Sequence, residues 1–135
     1  MKTFNVHILS ASRTFYEGEC ESIVVPTLEG QYGILANHSN TICAVIPGTM
    51  TYKLPGKELM IAAVSSGLVK IENNDVLVLV DSAERPEEID EIKARRAADA
   101  AKEAMLQKQS IKEHESARMS LARAMARLKV KSGNK

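Results

Sequence analysis

Arg118, Arg123 and Arg127 are the residues of this 135-residue chain whose types and spacing most plainly suggest chemistry. On a helix, Arg123 and Arg127 at i,i+4 project from nearly the same face, and Arg118 lies within a turn and a half. The last acidic residue is Glu115, and Arg118, Arg123, Arg127, Lys129, Lys131 and Lys135 follow it without a compensating acid. A one-sign block of this kind implies an acidic partner or surface. No aromatics interleave with these cations and no nucleic-acid motif accompanies them, so an acidic protein partner is the preferred reading.

Other reactive residues do not assemble into a recognisable constellation. His7, His38 and His114 fall in three separate segments without metal-ligand spacing, so no metal site is expected. Gly56-Lys57 lacks the earlier glycine and the following hydroxyl residue of a phosphate loop. Ser65-Ser66-Gly67 reads as a strand bend rather than a nucleophile elbow. Glu17, Glu19 and Glu21 alternate along one strand and read as a solvated face. Cys20 and Cys43 are too few and too far apart for a disulfide scaffold or zinc knuckle, and read as reduced thiols in a cytosolic protein. The chain is therefore expected to bind and regulate rather than catalyse.

Two kinds of element must position these residues. Up to about residue 83 the chain reads as short strands. Phe4, Val6 and Ile8 alternate with polar residues, and further β-branched runs follow at Ser22–Pro26, Thr41–Ile46, Leu59–Val64 and Val76–Val80. Pro47-Gly48 and Pro55-Gly56 suit type II turns, and Asn73-Asn74 suits a tight hairpin. This predicts an N-terminal antiparallel β-sandwich, or flattened barrel, with an aliphatic core, since aromatics make up only 4% of the chain. Its longest apolar run, Val76–Val80, is far short of the ~20 residues that span a bilayer, so direct membrane insertion is not expected.

Past residue 83 the pattern changes. Pro86 among acids marks a helix start, and alanine dominates a first helix of about 87–107. Ser110-x-x-Glu113 forms a capping box for a second helix of about 111–131. Residues 1–83 carry five basic and eight acidic groups, whereas 84–135 carry thirteen and nine. A C-terminal antiparallel two-helix hairpin is predicted, with Ala94, Ala97, Ala101 and Ala104 facing Ala117, Leu121, Ala124 and Leu128. An alanine seam buries little area, so such a hairpin should open easily. Residues alone leave two readings: a regulatory subunit of a larger assembly, or a free-standing adaptor or nucleic-acid-binding protein with a β scaffold and a basic helix.

Glu29-Gly30-Gln31-Tyr32-Gly33-Ile34-Leu35, then His38 and Pro47-Gly48, resembles the signature loop and strand of the epsilon subunit of bacterial F-type ATP synthases. Ser66-Gly67-Leu68-Val69-Lys70-Ile71, with Asn74, Val76, Leu79, Asp81 and Ala83-Glu84-Arg85, resembles that family's last hairpin and its crossing into the helices. The run from Leu121 to Leu128 resembles its C-terminal helix. The resemblance covers essentially the whole chain in order. Ala36, Asn37 and Asn40 depart from it, standing where prolines and glycine are common.

The resemblance implies a non-catalytic central-stalk subunit of a proton- or sodium-driven ATP synthase, peripheral on the cytoplasmic side of the plasma membrane. The sandwich would bind the gamma subunit and the membrane rotor ring, the ring through Glu29, Gly30 and Gln31. The hairpin would extend among the catalytic alpha and beta subunits, with Arg118, Arg123 and Arg127 as contacts, and inhibit ATP hydrolysis. No cofactor is implied beyond a regulatory ATP, for which the resemblance points to Ile89, Asp90, Lys93, Ala94, Arg123 and Arg127. Lys93 and Ala100 stand where that nucleotide motif has arginines, and Lys does not replace the planar bidentate fork of Arg.

Overall fold

A computed structural model describes residues 2–107 and 110–133. Ten strands form two five-stranded sheets. The strands are β1 (Phe4–Ser10), β2 (Thr14–Cys20), β3 (Ser22–Thr27), β4 (Gly30–Leu35) and β5 (Thr41–Val45), then β6 (Gly48–Lys53), β7 (Leu59–Val64), β8 (Gly67–Glu72), β9 (Asp75–Val80) and β10 (Ala83–Glu84). One sheet runs β2-β1-β9-β8-β5 and the other β10-β7-β6-β3-β4. Inward residues of both sheets, among them Phe4, Ile8, Ile23, Ile34, Met50 and Val78, close a single core. The predicted sandwich is present. Its ladders are antiparallel except that β1 and β9 run parallel, because β9 returns beside the first strand from the far end of the fold.

The turns follow the expected chemistry with one exception. Asn73 and Asn74 take positive φ values of 51° and 63° and close the β8–β9 hairpin. Pro55-Gly56 makes a reverse turn, with the Lys57 N–H donating to Leu54 O at 3.1 Å and Gly56 at φ +73°. Asn37 supplies a left-handed residue at φ 62°, and its N–H donates to Asn74 Oδ1 at 2.6 Å. Pro47-Gly48 is not a type II turn. Gly48 opens β6 as the chain crosses between sheets, without positive φ. Glycine is needed there for proximity: a Cβ would sit 2.8 Å from Pro26 Cβ.

The helices are α1 (Glu91–Leu106) and α2 (Ile111–Lys131). The predicted second helix is present, and Ser110 Oγ accepts the Glu113 N–H at 3.2 Å. The first begins later than the predicted residue 87. Pro86–Glu88 form a separate 3-10 turn, Ile89 is extended, and Asp90 caps α1 by accepting the Lys93 N–H at 3.1 Å. The break has a packing cause. Ile89 is buried with Ala63, Ala94 and Val130, which pins α2 and the start of α1 to the outer face of β7. The buried alanines of α1 are Ala94, Ala98 and Ala101, so Ala98 replaces the predicted Ala97 in the seam. In α2 the buried residues are Ala117, Ala124, Ala126 and Val130.

The crossing segment is fastened to the sandwich. Glu88 accepts from both terminal nitrogens of Arg13, at 2.6 and 2.7 Å, and from the Arg85 N–H at 2.8 Å. Arg85 lies over the Phe15 ring, 4.0 Å from its centroid, and donates to Phe15 O at 2.8 Å. These donors, Arg13 foremost, pull the Glu88 carboxyl from its ordinary 4.5 to about 2. A carboxyl with a depressed folded pKa adds stability above its unfolded pKa and loses that contribution as pH falls through the folded one. Glu88→Gln is therefore expected to cost about 1 kcal/mol at neutral pH, a modest figure because the pair is partly exposed. Below about pH 2 wild type and variant should converge. Denaturation curves for both across pH 1.5–7 (roughly the window this linkage sets) check this, and parallel curves would contradict it.

Candidate functional site

Where α2 lies against the outer face of β7 and β10, a cavity of about 320 Å³ opens between hairpin and sandwich. Its polar lining comes from Arg123, Arg127 and Ser120 on α2 and from Ser65, Ser82 and Glu84 on the sandwich. Arg123 donates to Ser120 Oγ at 2.9 Å. Arg127 Nε lies 2.8 Å from Glu84 Oε1, yet this buried nitrogen makes no aligned hydrogen bond. The distance shows an ion pair, and the direction of the N–H shows that the pair is imperfect. Two guanidinium groups and three serines surround one carboxylate there. The Ser65 Oγ accepts the Ser82 N–H at 2.8 Å.

The structure therefore brings Arg123 and Arg127 together and sets the other predicted nucleotide residues apart. Ile89 and Ala94 are buried in the packing cluster, the Asp90 carboxylate caps α1, and Lys93 is exposed. None of the four lines the cavity. Ser65, Ser82 and Glu84 were not anticipated. Ser65 and Ser82 lie in connections between strands and Glu84 in the short β10, and such residues announce no ligand role until a helix is laid over them.

The basic end of α2 is less free than its sequence suggests. Arg118 pairs with Glu115 at 2.7 Å, Arg127 meets Glu84, and Lys131 Nζ donates to Pro86 O at 3.2 Å. Arg118 and Arg127 thus meet acids that lie upstream in sequence, while Lys131 is hydrogen-bonded to a neutral carbonyl. Lys135 lies outside the described residues. Glu29, Gly30 and Gln31 sit at the β3–β4 turn, all exposed, with Gly30 at φ +113° and Leu28 beside them 86% exposed.

The sheet not covered by the hairpin has a distinctive outer face. Leu9, Leu79, Leu68 and Ala44 occupy one continuous cross-strand row over β1, β9, β8 and β5. The next row is His7, Leu77, Lys70 and Ile42, the last 70% exposed. At its edge His7 Nδ1 lies 2.6 Å from Glu17 Oε2 and Nε2 lies 3.4 Å from Asp75 Oδ1. The hydrogen bond to Glu17 raises the His7 pKa, burial opposes it, and the Asp75 charge adds to the rise. A sequence signal for this face existed in the run Val76–Val80. Val76, Val78 and Val80 point inward while Leu77 and Leu79 point outward, so this strand is apolar on both faces.

Comparison with known proteins agrees with this two-part architecture. Residues 3–86 match the family model described as the beta-sandwich domain of the ATP synthase Delta/Epsilon chain. Residues 87–132 match its long alpha-helix domain. A Ruminiclostridium cellulolyticum protein named ATP synthase epsilon chain is 39% identical over 128 residues, covering 95% of each chain. One of the same name from Caldanaerobacter subterraneus is 40% identical over 134 residues, covering 97% of this chain and 95% of its own. A chain in the cryo-EM structure of the Euglena gracilis mitochondrial ATP synthase shares the fold at a TM-score of 0.79 and 20% identity, covering 92% of this chain and 78% of its own. A chain from the central stalk and c-ring structure of the Tetrahymena thermophila enzyme does so at 0.69 and 14%, covering 96% and 97%. With both family domains in order along it, the chain belongs to the ATP synthase delta/epsilon chain family.

Proposed function

We propose that this chain works as an epsilon-type subunit in the central stalk of an ATP synthase, a rotor component that couples rotation to ATP synthesis and catalyses nothing itself. The observation that carries this reading is the division of labour between the two outer sheet faces. The hairpin covers one, and the other presents an apolar row, flanked by a second that adds Leu77 and Ile42, without a cover from the described residues. A gamma-type stalk subunit is the occupant we assign to that open face. The β3–β4 turn, with Glu29, Gly30 and Gln31 beside exposed Leu28, is assigned to the membrane rotor ring. Membrane association would then be peripheral, on the cytoplasmic side. No described helix is long and apolar enough to cross a bilayer. A nucleic-acid reading of α2 is weakened because Arg118, Arg127 and Lys131 are engaged within the chain.

Regulation falls to residues 84–135, with 1–83 as the stalk-binding part. The hairpin would open about extended Ile89 and Asp90, while the latched turn before them stays with the sandwich. Opening separates Arg127 from the Glu84 carboxylate and Lys131 from the Pro86 carbonyl, and so frees two cations that the docked state engages. With Arg123 and Arg118 they would meet acidic surface on the catalytic alpha and beta subunits and slow ATP hydrolysis. Regulatory ATP would oppose this by placing its phosphates between Arg123 and Arg127. The imperfectly bonded Arg127 Nε supports such a ligand. Competition from Glu84, and the distance of Lys93 from the cavity lining, keep its affinity low.

Reconstituting the complex with a chain ending at Asp90 should preserve assembly and coupling through the sandwich while ATP hydrolysis rises several-fold. Intact assembly with unchanged hydrolysis would remove the inhibitory role. Calorimetry on the isolated chain should detect weak ATP binding that disappears when Arg123→Ala and Arg127→Ala are combined. No heat at millimolar ATP would remove the nucleotide role and leave the stalk assignment standing.

A further inference from the structure

The second flank of α2 carries an open groove of about 660 Å³, twice the size of the arginine cavity and separated from it by the helix. Pockets of this size hold small molecules of drug-like dimensions. One wall is the sandwich, where Pro26, Ile46 and Pro47 meet at the crossing between sheets. The facing wall is α2, through Met125, Ala126 and Leu128. Met125 is 46% exposed, and its unbranched thioether can settle on an irregular apolar guest. The proximity of Gly48 to Pro26, which leaves no room for a Cβ, makes the sandwich wall stiff.

Neutral polar lining comes from Thr27, Ser132 and Gln31 of the β3–β4 turn, and the charged groups of the groove are of one sign. Arg95 from α1 and Lys129 from α2 line it, and no acidic side chain does so among the described residues. Arg95 is held only by an exposed contact to Glu91 at 3.6 Å. At the wall stands Thr49, only 6% exposed, whose hydroxyl has no hydrogen-bond partner. Thr49 pairs with Ala63 across the β6–β7 ladder, so its side chain shares the face that lies beneath α2. A buried hydroxyl left unsatisfied is destabilising, and a small shift of the wall that let a guest's acceptor reach it would remove that cost.

We propose that this groove binds a free amphipathic anion, an aliphatic carboxylate of medium chain length. The alkyl chain lies between the proline-rich wall and Met125, and the carboxylate lies toward Arg95, Lys129 and the Thr49 hydroxyl. Because the walls belong to different parts of the molecule, the ligand favours the docked hairpin over the open one by mass action. This inference concerns a different cavity from the ATP reading and stands or falls independently of it.

Sodium decanoate, kept below its micelle concentration, is the probe, with methyl NMR of Met125 and Ile46 on the full chain as the readout. The expected result is saturable shifts at both methyls, together with slower amide exchange in α2. Combining Arg95→Gln with Lys129→Gln, both exposed positions, should weaken binding by about tenfold, the effect of removing two partly screened contacts. Decyltrimethylammonium, with the same chain and the opposite charge, should not saturate the site. Absence of saturable shifts overturns the proposal, as does equal binding of the cationic amphiphile. Interaction seen only with phosphatidylglycerol vesicles, and not with decanoate, overturns it in favour of a membrane surface.

Discussion

A small apolar contact holds the two parts of this protein together. Ile89, Ala63, Ala94 and Val130 form the cluster that seats the hairpin on β7, with Ile61 and Leu128 at its margin. Burial of one large aliphatic side chain is worth roughly 1.5–3 kcal/mol, and only Ile89 and Val130 bring appreciable side chains to the buried centre. The partly buried pair of Arg127 and Glu84 adds on the order of 1 kcal/mol. Thr49 Oγ1, buried without a hydrogen-bond partner, belongs to this same interface and works against it, and the poor alignment of Arg127 Nε limits what its pair with Glu84 contributes. The docked state thus sits within a few kcal/mol of release, a range that a ligand or partner with differential affinity can span. The sandwich core, continuous from Phe4 to Ala83, is a different order of structure and has no comparable weakness.

That contrast explains where the chain can bend. The segment from Ala83 to Glu88 pairs with β7, stacks on Phe15 and is gripped by Arg13, so it belongs mechanically to the sandwich. Flexibility is confined to the next two residues, whose extended backbone is fixed only by the burial of Ile89 and the cap made by Asp90. A rigid anchor beside a soft hinge allows a hairpin to move without loosening the face that grips the stalk. The open rows of Leu9, Leu79, Leu68 and Ala44 lie on the opposite sheet from the hairpin, so stalk binding and hairpin movement need not compete for surface.

Much of this was legible from residue order. Alternation in Phe4–Ile8, the paired asparagines at 73 and 74 and the Ser110 cap each act through neighbours in sequence, and each appears where local chemistry placed it. What escaped depends on residues far apart. Pro47-Gly48 has the composition of a turn, but the chain uses it to change sheets, because Gly48 must pass close to Pro26. Helix α1 starts after residue 87 because Ile89 is wanted by a cluster on β7 and α2. Arg127 and Lys131 looked free because Glu84 and Pro86 lie far upstream, across the interface, whereas Arg118 meets Glu115 one turn before it on the same helix. Of the candidate nucleotide residues, Arg123 and Arg127 converge because they share one helix face, whereas the Asp90 carboxylate caps the other helix and the Lys93 side chain lies exposed outside the cavity.

The account rests on a hairpin held far more weakly than the domain beneath it, and amide hydrogen exchange on the isolated chain tests this most directly. Amides of α1 and α2 should exchange at least about a hundredfold faster than those of the inward strands, through an opening that leaves the sandwich folded. Residues Ala83 to Glu88 should group with the sandwich despite their nearness to the helices in sequence. Helical amides protected as deeply as β1 and β9, exchanging only with global unfolding, would contradict a hairpin poised to open.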